Sequence, residues 1–72
     1  MTNTELLEAK IQESGKKKGY LAKKVNLSLA GFYNCCNNKA EWKASQIDAL
    51  CEELNITDLY VRQAIFFAKN DA

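Results

Sequence analysis

The sequence predicts one all-α domain, and three observations carry that expectation. Apolar residues recur at helical spacing, most clearly at Ile47, Leu50, Cys51 and Leu54, which stand at i, i+3, i+4 and i+7. Proline is absent and the glycines are only Gly15, Gly19 and Gly31, so little punctuates the chain. With 72 residues and 47% hydrophobic content, there is material for one core and no second domain. A chain of this length buries only about 60% of its unfolded surface.

The first helix is expected over Thr4 to Ser14, where Leu7 and Ile11 lie four apart and Leu6 and Ser14 flank their stripe. Thr4 is its expected N-cap, with an incomplete capping box because Leu7 occupies the third helical position. Gly15 stands where a left-handed terminus would end it. A short second helix follows through Tyr20, Leu21, Ala22 and Val25, with Ala22 small enough for another helix to cross closely. Asn26 ends it, since Asn tolerates the left-handed conformation that a tight turn needs. Leu27 then tucks in.

Ser28 is a good N-cap for a third helix, which Phe32, Cys35 and Cys36 seat on the core and which ends at Asn37 or Asn38. Trp42 lies in the following loop, where its ring closes the core more readily than it stacks on a ligand. The Ile47 to Leu54 stripe makes the fourth helix. Thr57 is expected to cap a short last helix containing Leu59, Tyr60 and Val61. Beyond it, Ile65, Phe66 and Phe67 form an apolar run expected to cover the core edge in part, with the remainder making a homodimer contact or a short strand.

The net charge of +1 conceals a polarised distribution. Between Lys10 and Lys43 eight lysines stand against Glu13 and Glu41, a balance of +6, while the rest of the chain sums to −5. Such a domain offers a basic face to an anionic partner, or simply a solvated lysine surface. Histidine is absent, which removes the usual general base, and the carboxylates are scattered along solvated helix faces, so no enzyme is expected. Cys35, Cys36 and Cys51 cannot all pair and form no CxxC motif; they read as buried thiols, with no metal and no cofactor implied. No apolar run suits a membrane span and the polar, acidic start is no signal peptide, so a cytoplasmic protein is expected.

From Lys18 to Asn37 the residues have the spacing of a helix-turn-helix: Leu21, Val25, Leu27 and Phe32 apolar, Ala22 at the crossing, Asn26 at the turn. In such a pair the first helix braces the second so that it can enter a major groove about 12 Å wide. Together with the loop Asn37 to Lys43, the Ile47–Leu54 helix and the exit at Asn55-Ile56-Thr57, the chain resembles the phage repressor and Cro family over nearly its whole length. The resemblance implies a compact five-helix, lambda-repressor-like domain. By size and layout the chain is also similar to the antirepressors, or modulators of repression, of lactococcal temperate phages. Lys18 stands where the family commonly has Gln, and Asn26 and Asn38 stand where it usually has Gly.

The departure that matters lies at the tip of the third helix. Recognition helices put Gln, Arg, Lys or Ser there to meet base edges, whereas this one offers Leu29, Ala30 and Gly31. Ser28, Tyr33, Asn34 and Asn37 remain able to hydrogen-bond, and Asn suits adenine, but the only arginine is Arg62, outside the motif. An apolar tip ringed by Lys17, Lys18, Lys23 and Lys39 also has the makeup of a protein interface. Two partners are therefore expected for this helix: the cognate phage repressor, seized by an antirepressor, or operator DNA, read by a Cro-like repressor. Either role belongs to a lysis–lysogeny switch.

Overall fold

A computed structural model describes residues 1–69. Among them lie five helices and no strand: α1 (Thr4–Ser14), α2 (Lys18–Lys24), α3 (Leu29–Cys36), α4 (Ala44–Glu53) and α5 (Leu59–Phe66). None is long and apolar enough to cross a membrane.

The helix ends explain why these segments stop where they do. α1 closes at Gly15 with φ 70°, as its lack of a Cβ allows. α2, α3 and α4 instead share one asparagine device. Asn26, Asn38 and Asn55 take φ of 60°, 63° and 57°. The next amide reaches back across each turn: Leu27 N–H to the Ala22 carbonyl at 2.9 Å, Lys39 to Asn34 at 2.8 Å, Ile56 to Cys51 at 2.8 Å. These are Schellman closures, in which a left-handed residue turns the chain and satisfies the orphan carbonyl.

At two helix starts the cap differs from expectation. Asn3, not Thr4, caps α1, its side-chain oxygen accepting from Leu6 N–H at 3.1 Å. Thr4 already has helical geometry, and its hydroxyl donates to the Cys36 carbonyl at 2.6 Å, tying α1 to the end of α3. α5 begins one residue later than Thr57 would require, and the Asp58 carboxylate takes the Tyr60 N–H at 2.8 Å. Ser28 does cap α3, accepting from Gly31 N–H at 3.0 Å.

Leu7, Ile11, Leu21, Phe32, Leu50 and Ile65, one or two from each helix, meet in the core. Trp42 is the lid: its ring stands edge-on to Phe32 at 5.6 Å and to Phe66 at 6.0 Å. Its indole N–H is buried and has no hydrogen-bond partner among the described residues. Cys35, Cys36 and Cys51 are free and buried, and burial pushes the Cys36 thiol up to about 12, so none is a ready nucleophile at neutral pH.

Of the run at Ile65, Phe66 and Phe67, Ile65 and Phe66 are the part that covers the core edge, as expected, and no strand forms there among the described residues. Helix α5 ends within it at Phe66, turning Ile65 and Phe66 into the core at 0% and 5% exposure and leaving Phe67, the C-cap residue, outside at 55%. Ile65 and Phe66 are thus unavailable to a second chain. The residues before α1 close the end of the molecule. The Asn38 side chain accepts from Thr2 N–H at 2.7 Å and donates to its carbonyl at 2.9 Å, while Asn3 N–H reaches the Ile65 carbonyl at 2.6 Å.

Candidate partner-binding face on the third helix

α3 sits against α2, and its two faces differ sharply. Phe32, Cys35 and Cys36 point inward, whereas Leu29, Ala30, Tyr33, Asn34 and Asn37 are all exposed. At 100° per residue those five fall within an arc of about 140°. Leu29 and Tyr33 are neighbours along one edge, 46% and 41% exposed. Ala30 and Asn37 run along the middle and Asn34 along the other edge. The face therefore joins an apolar stripe to an amide stripe and carries no charge of its own.

Of the expected tip residues, Ser28 and Gly31 are used mainly to build the helix. The Ser28 hydroxyl is occupied by the cap. Gly31 is only half-exposed, and a Cβ there would lie 3.2 Å from Ser28 Oγ and 3.6 Å from Leu27 Cδ2. Glycine at this position lets the serine fold over the first turn and Leu27 pack behind it.

The lysines are placed unequally. Lys18 is drawn in: its ammonium pairs with Glu8 at 2.8 Å and lies 5.1 Å from the centre of the Tyr33 ring. The hydrogen bond to Glu8 raises its pKa above the ordinary lysine value against a smaller desolvation effect. Lys18 is thus a strut joining α1, α2 and the Tyr33 edge of α3. Glu8 is the unforeseen member of this group, since it lies on another helix beyond the break at Gly15.

Lys16 bonds the Glu53 carbonyl at 2.8 Å and its carboxylate at 3.1 Å, and Lys10 pairs with Glu13. The hydrogen bond from Lys16, then that from Tyr20, holds Glu53 below the usual carboxylate range. The +6 segment is consequently partly neutralised by acids folding back from outside it. Lys17, Lys23, Lys24, Lys39 and Lys43 form no ion pair among the described residues. Of these, Lys39 is held beside the C-terminal end of the α3 face by its backbone N–H, which donates to the Asn34 carbonyl at 2.8 Å. Lys17 occupies the N-cap position of α2 without a side-chain capping bond, and Lys23 is exposed on α2 together with Tyr20 and Lys24.

What the face offers chemically is contact and hydrogen bonding. Among the described residues no group of His, Cys, Asp and Glu is arranged to hold a metal ion. Comparison of the chain with protein-family models, with curated proteins and with solved structures returned no match in any of the three.

Proposed function

We propose that this chain is a regulator of a phage-type genetic switch, with α2 and α3 as a helix-turn-helix pair in a lambda-repressor-like domain. It acts as an antirepressor: the exposed face of α3 seizes the cognate phage repressor and blocks or modifies its operator binding. The observation that carries this reading is the pairing of exposed Leu29 and Tyr33 on an uncharged helix face while Lys18, the lysine over the Tyr33 ring, is engaged by Glu8. Apolar and aromatic centres with a charged rim suit a protein surface. A phosphate backbone instead rewards cations free to release counterions. The protein is a binding protein of the bacterial cytoplasm, not an enzyme, and needs no cofactor.

A second reading is favoured by the exposed amides of Asn34 and Asn37 and by the unpaired Lys17, Lys23 and Lys39 near the same motif. On it, the chain is a Cro-like repressor that contacts operator DNA directly, lysines on phosphate and asparagines on adenine.

Titrating the protein against the repressor encoded beside it, and separately against that repressor's operator fragment, at two salt concentrations separates the readings. The antirepressor reading expects a stable protein complex that abolishes the repressor's operator binding. Specific, steeply salt-dependent operator binding without a protein complex refutes it. Leu29→Arg is expected to weaken the protein complex by about 2 kcal/mol or more, the loss of a residue that carries binding energy, while leaving non-specific DNA binding unchanged or stronger.

A further inference from the structure

The run Lys16-Lys17-Lys18, leading into α2, is the longest stretch of positive charge in the chain. Both of its outer members are held by carboxylates from other helices. Glu8 of α1 meets Lys18 at 2.8 Å, and Glu53 of α4 meets Lys16 at 3.1 Å. The two pairs do different things. Lys16 also donates to the Glu53 carbonyl at 2.8 Å, so it ties down the end of α4 by its backbone as well. Lys18 has no backbone acceptor among the described residues, and its ammonium lies beside the Tyr33 ring, 5.1 Å from the centre. Tyr33 is an edge of the exposed α3 face, so a partner laid on that face meets Lys18 there. The two side chains of this pair keep 28% and 34% of their surface in solvent, which leaves the lysine free to turn outward once the carboxylate is gone.

We infer that Glu8 is a specificity-determining residue of the α3 face: its carboxylate gives Lys18, from inside the chain, the anion that a nucleic-acid phosphate would otherwise give it, and so turns polyanions away from the Tyr33 edge. The inference rests on α3 being the partner-binding face and names the residue that selects its partner.

The exclusion has two parts. A lysine binds DNA by neutralising a phosphate and releasing that phosphate's counterion, and a lysine already neutralised by a neighbouring carboxylate has no charge to offer. A phosphate that did capture Lys18 would leave Glu8 as an unpaired acid close beside it, where like charges repel. A protein surface docking on Leu29 and Tyr33 meets neither obstacle, because its contact with the apolar edge calls for no cation. One acid on α1 thus sets the preference of a face built on α3.

Fluorescence anisotropy of a short random-sequence DNA duplex, titrated with the full chain from about 50 to about 200 mM salt, tests this. Glu8→Gln and Glu8→Ala should each tighten binding about five- to tenfold at about 100 mM salt. Each should also steepen the slope of log K against log salt by about 0.9, the value for one more neutralised phosphate. Adding Lys18→Gln to either variant should remove both gains. Glu52→Gln deletes an equal charge from an exposed acid that forms no ion pair among the described residues, and it should leave the slope unaltered. Glutamine and alanine are both good helix formers, so α1 keeps its helix in each variant, and circular dichroism confirms it. Glu8 variants with the parent's slope, a gain that persists without Lys18, or an equal gain in Glu52→Gln would each overturn the proposal. Specific operator binding by the parent without a repressor complex would refute the antirepressor reading and leave the Glu8 comparison standing, so the two failures are distinct.

Discussion

Replacing Phe32 tests whether α3 is anchored as the packing requires. Its ring is fully buried, at 0% exposure, with an edge-on contact to Trp42. Phe32→Ala removes the ring's transfer free energy and leaves a cavity that the surrounding helices only partly fill, about 3–5 kcal/mol. A domain of 72 residues has in total about 4–11 kcal/mol of stability, so the alanine variant is expected to sit at the edge of unfolding. Phe32→Leu keeps most of the volume and loses the aromatic pair, at about 1–2 kcal/mol, which lowers Tm by roughly 10 °C in a domain of this size. Trp42 is the sole tryptophan and touches the altered site, so its emission in a urea titration reports both the local change and the global transition. The leucine variant should shift the midpoint without changing the slope. An alanine variant that loses less than about 1 kcal/mol, with unaltered emission, would refute this account of how α3 is held.

Other perturbations separate backbone from side chain. Asn26→Gly should be close to neutral and Asn26→Ala should cost about 1 kcal/mol, because alanine resists the left-handed φ; thermal melts decide. At Asn38 even glycine should destabilise by about 1–2 kcal/mol, since the clamp on Thr2 is lost whatever the backbone gains. Glu53 has its folded pKa below the unfolded value. Its contribution is therefore complete above the ordinary carboxylate pKa and disappears as pH falls through the depressed one; Glu53→Gln should flatten the acid limb of a stability–pH curve there. Thiol labelling at pH 8 should proceed only as fast as the protein opens, because Cys35, Cys36 and Cys51 are all buried; rapid labelling of the native state would contradict that burial.

Local chemistry was legible where neighbours in sequence decide the outcome. Ser28 as a cap, Gly15 as a terminus and Asn26 as a left-handed turn all depend on residues within four positions. Asn55 uses the same device as Asn26, and an asparagine followed by an apolar residue at a helix end was the sign of it. Cap choice was less readable because adjacent residues compete: Asn3 beside Thr4 and Asp58 beside Thr57 are equally plausible until the helical phase is known. Contacts across the fold were not readable at all. Nothing local links Asn38 to Thr2, or Lys18 to Glu8, and the second of these changes the electrostatics of the candidate site.

That ion pair also bears on what kind of partner the exposed face of α3 suits, a face that presents residues at i, i+1, i+4, i+5 and i+8. The lysines in or beside the motif that form no ion pair among the described residues include Lys17, Lys23, Lys24 and Lys39, so bringing two α3 faces together would set lysine against lysine. A surface that repels its own copy needs an unlike partner with acidic groups around an apolar centre. On the proposed antirepressor reading, reversing the rim with Lys23→Glu and Lys39→Glu should therefore slow association with the repressor at low salt. An association rate that did not respond to those charges would mean that the lysine rim plays no part in choosing the partner.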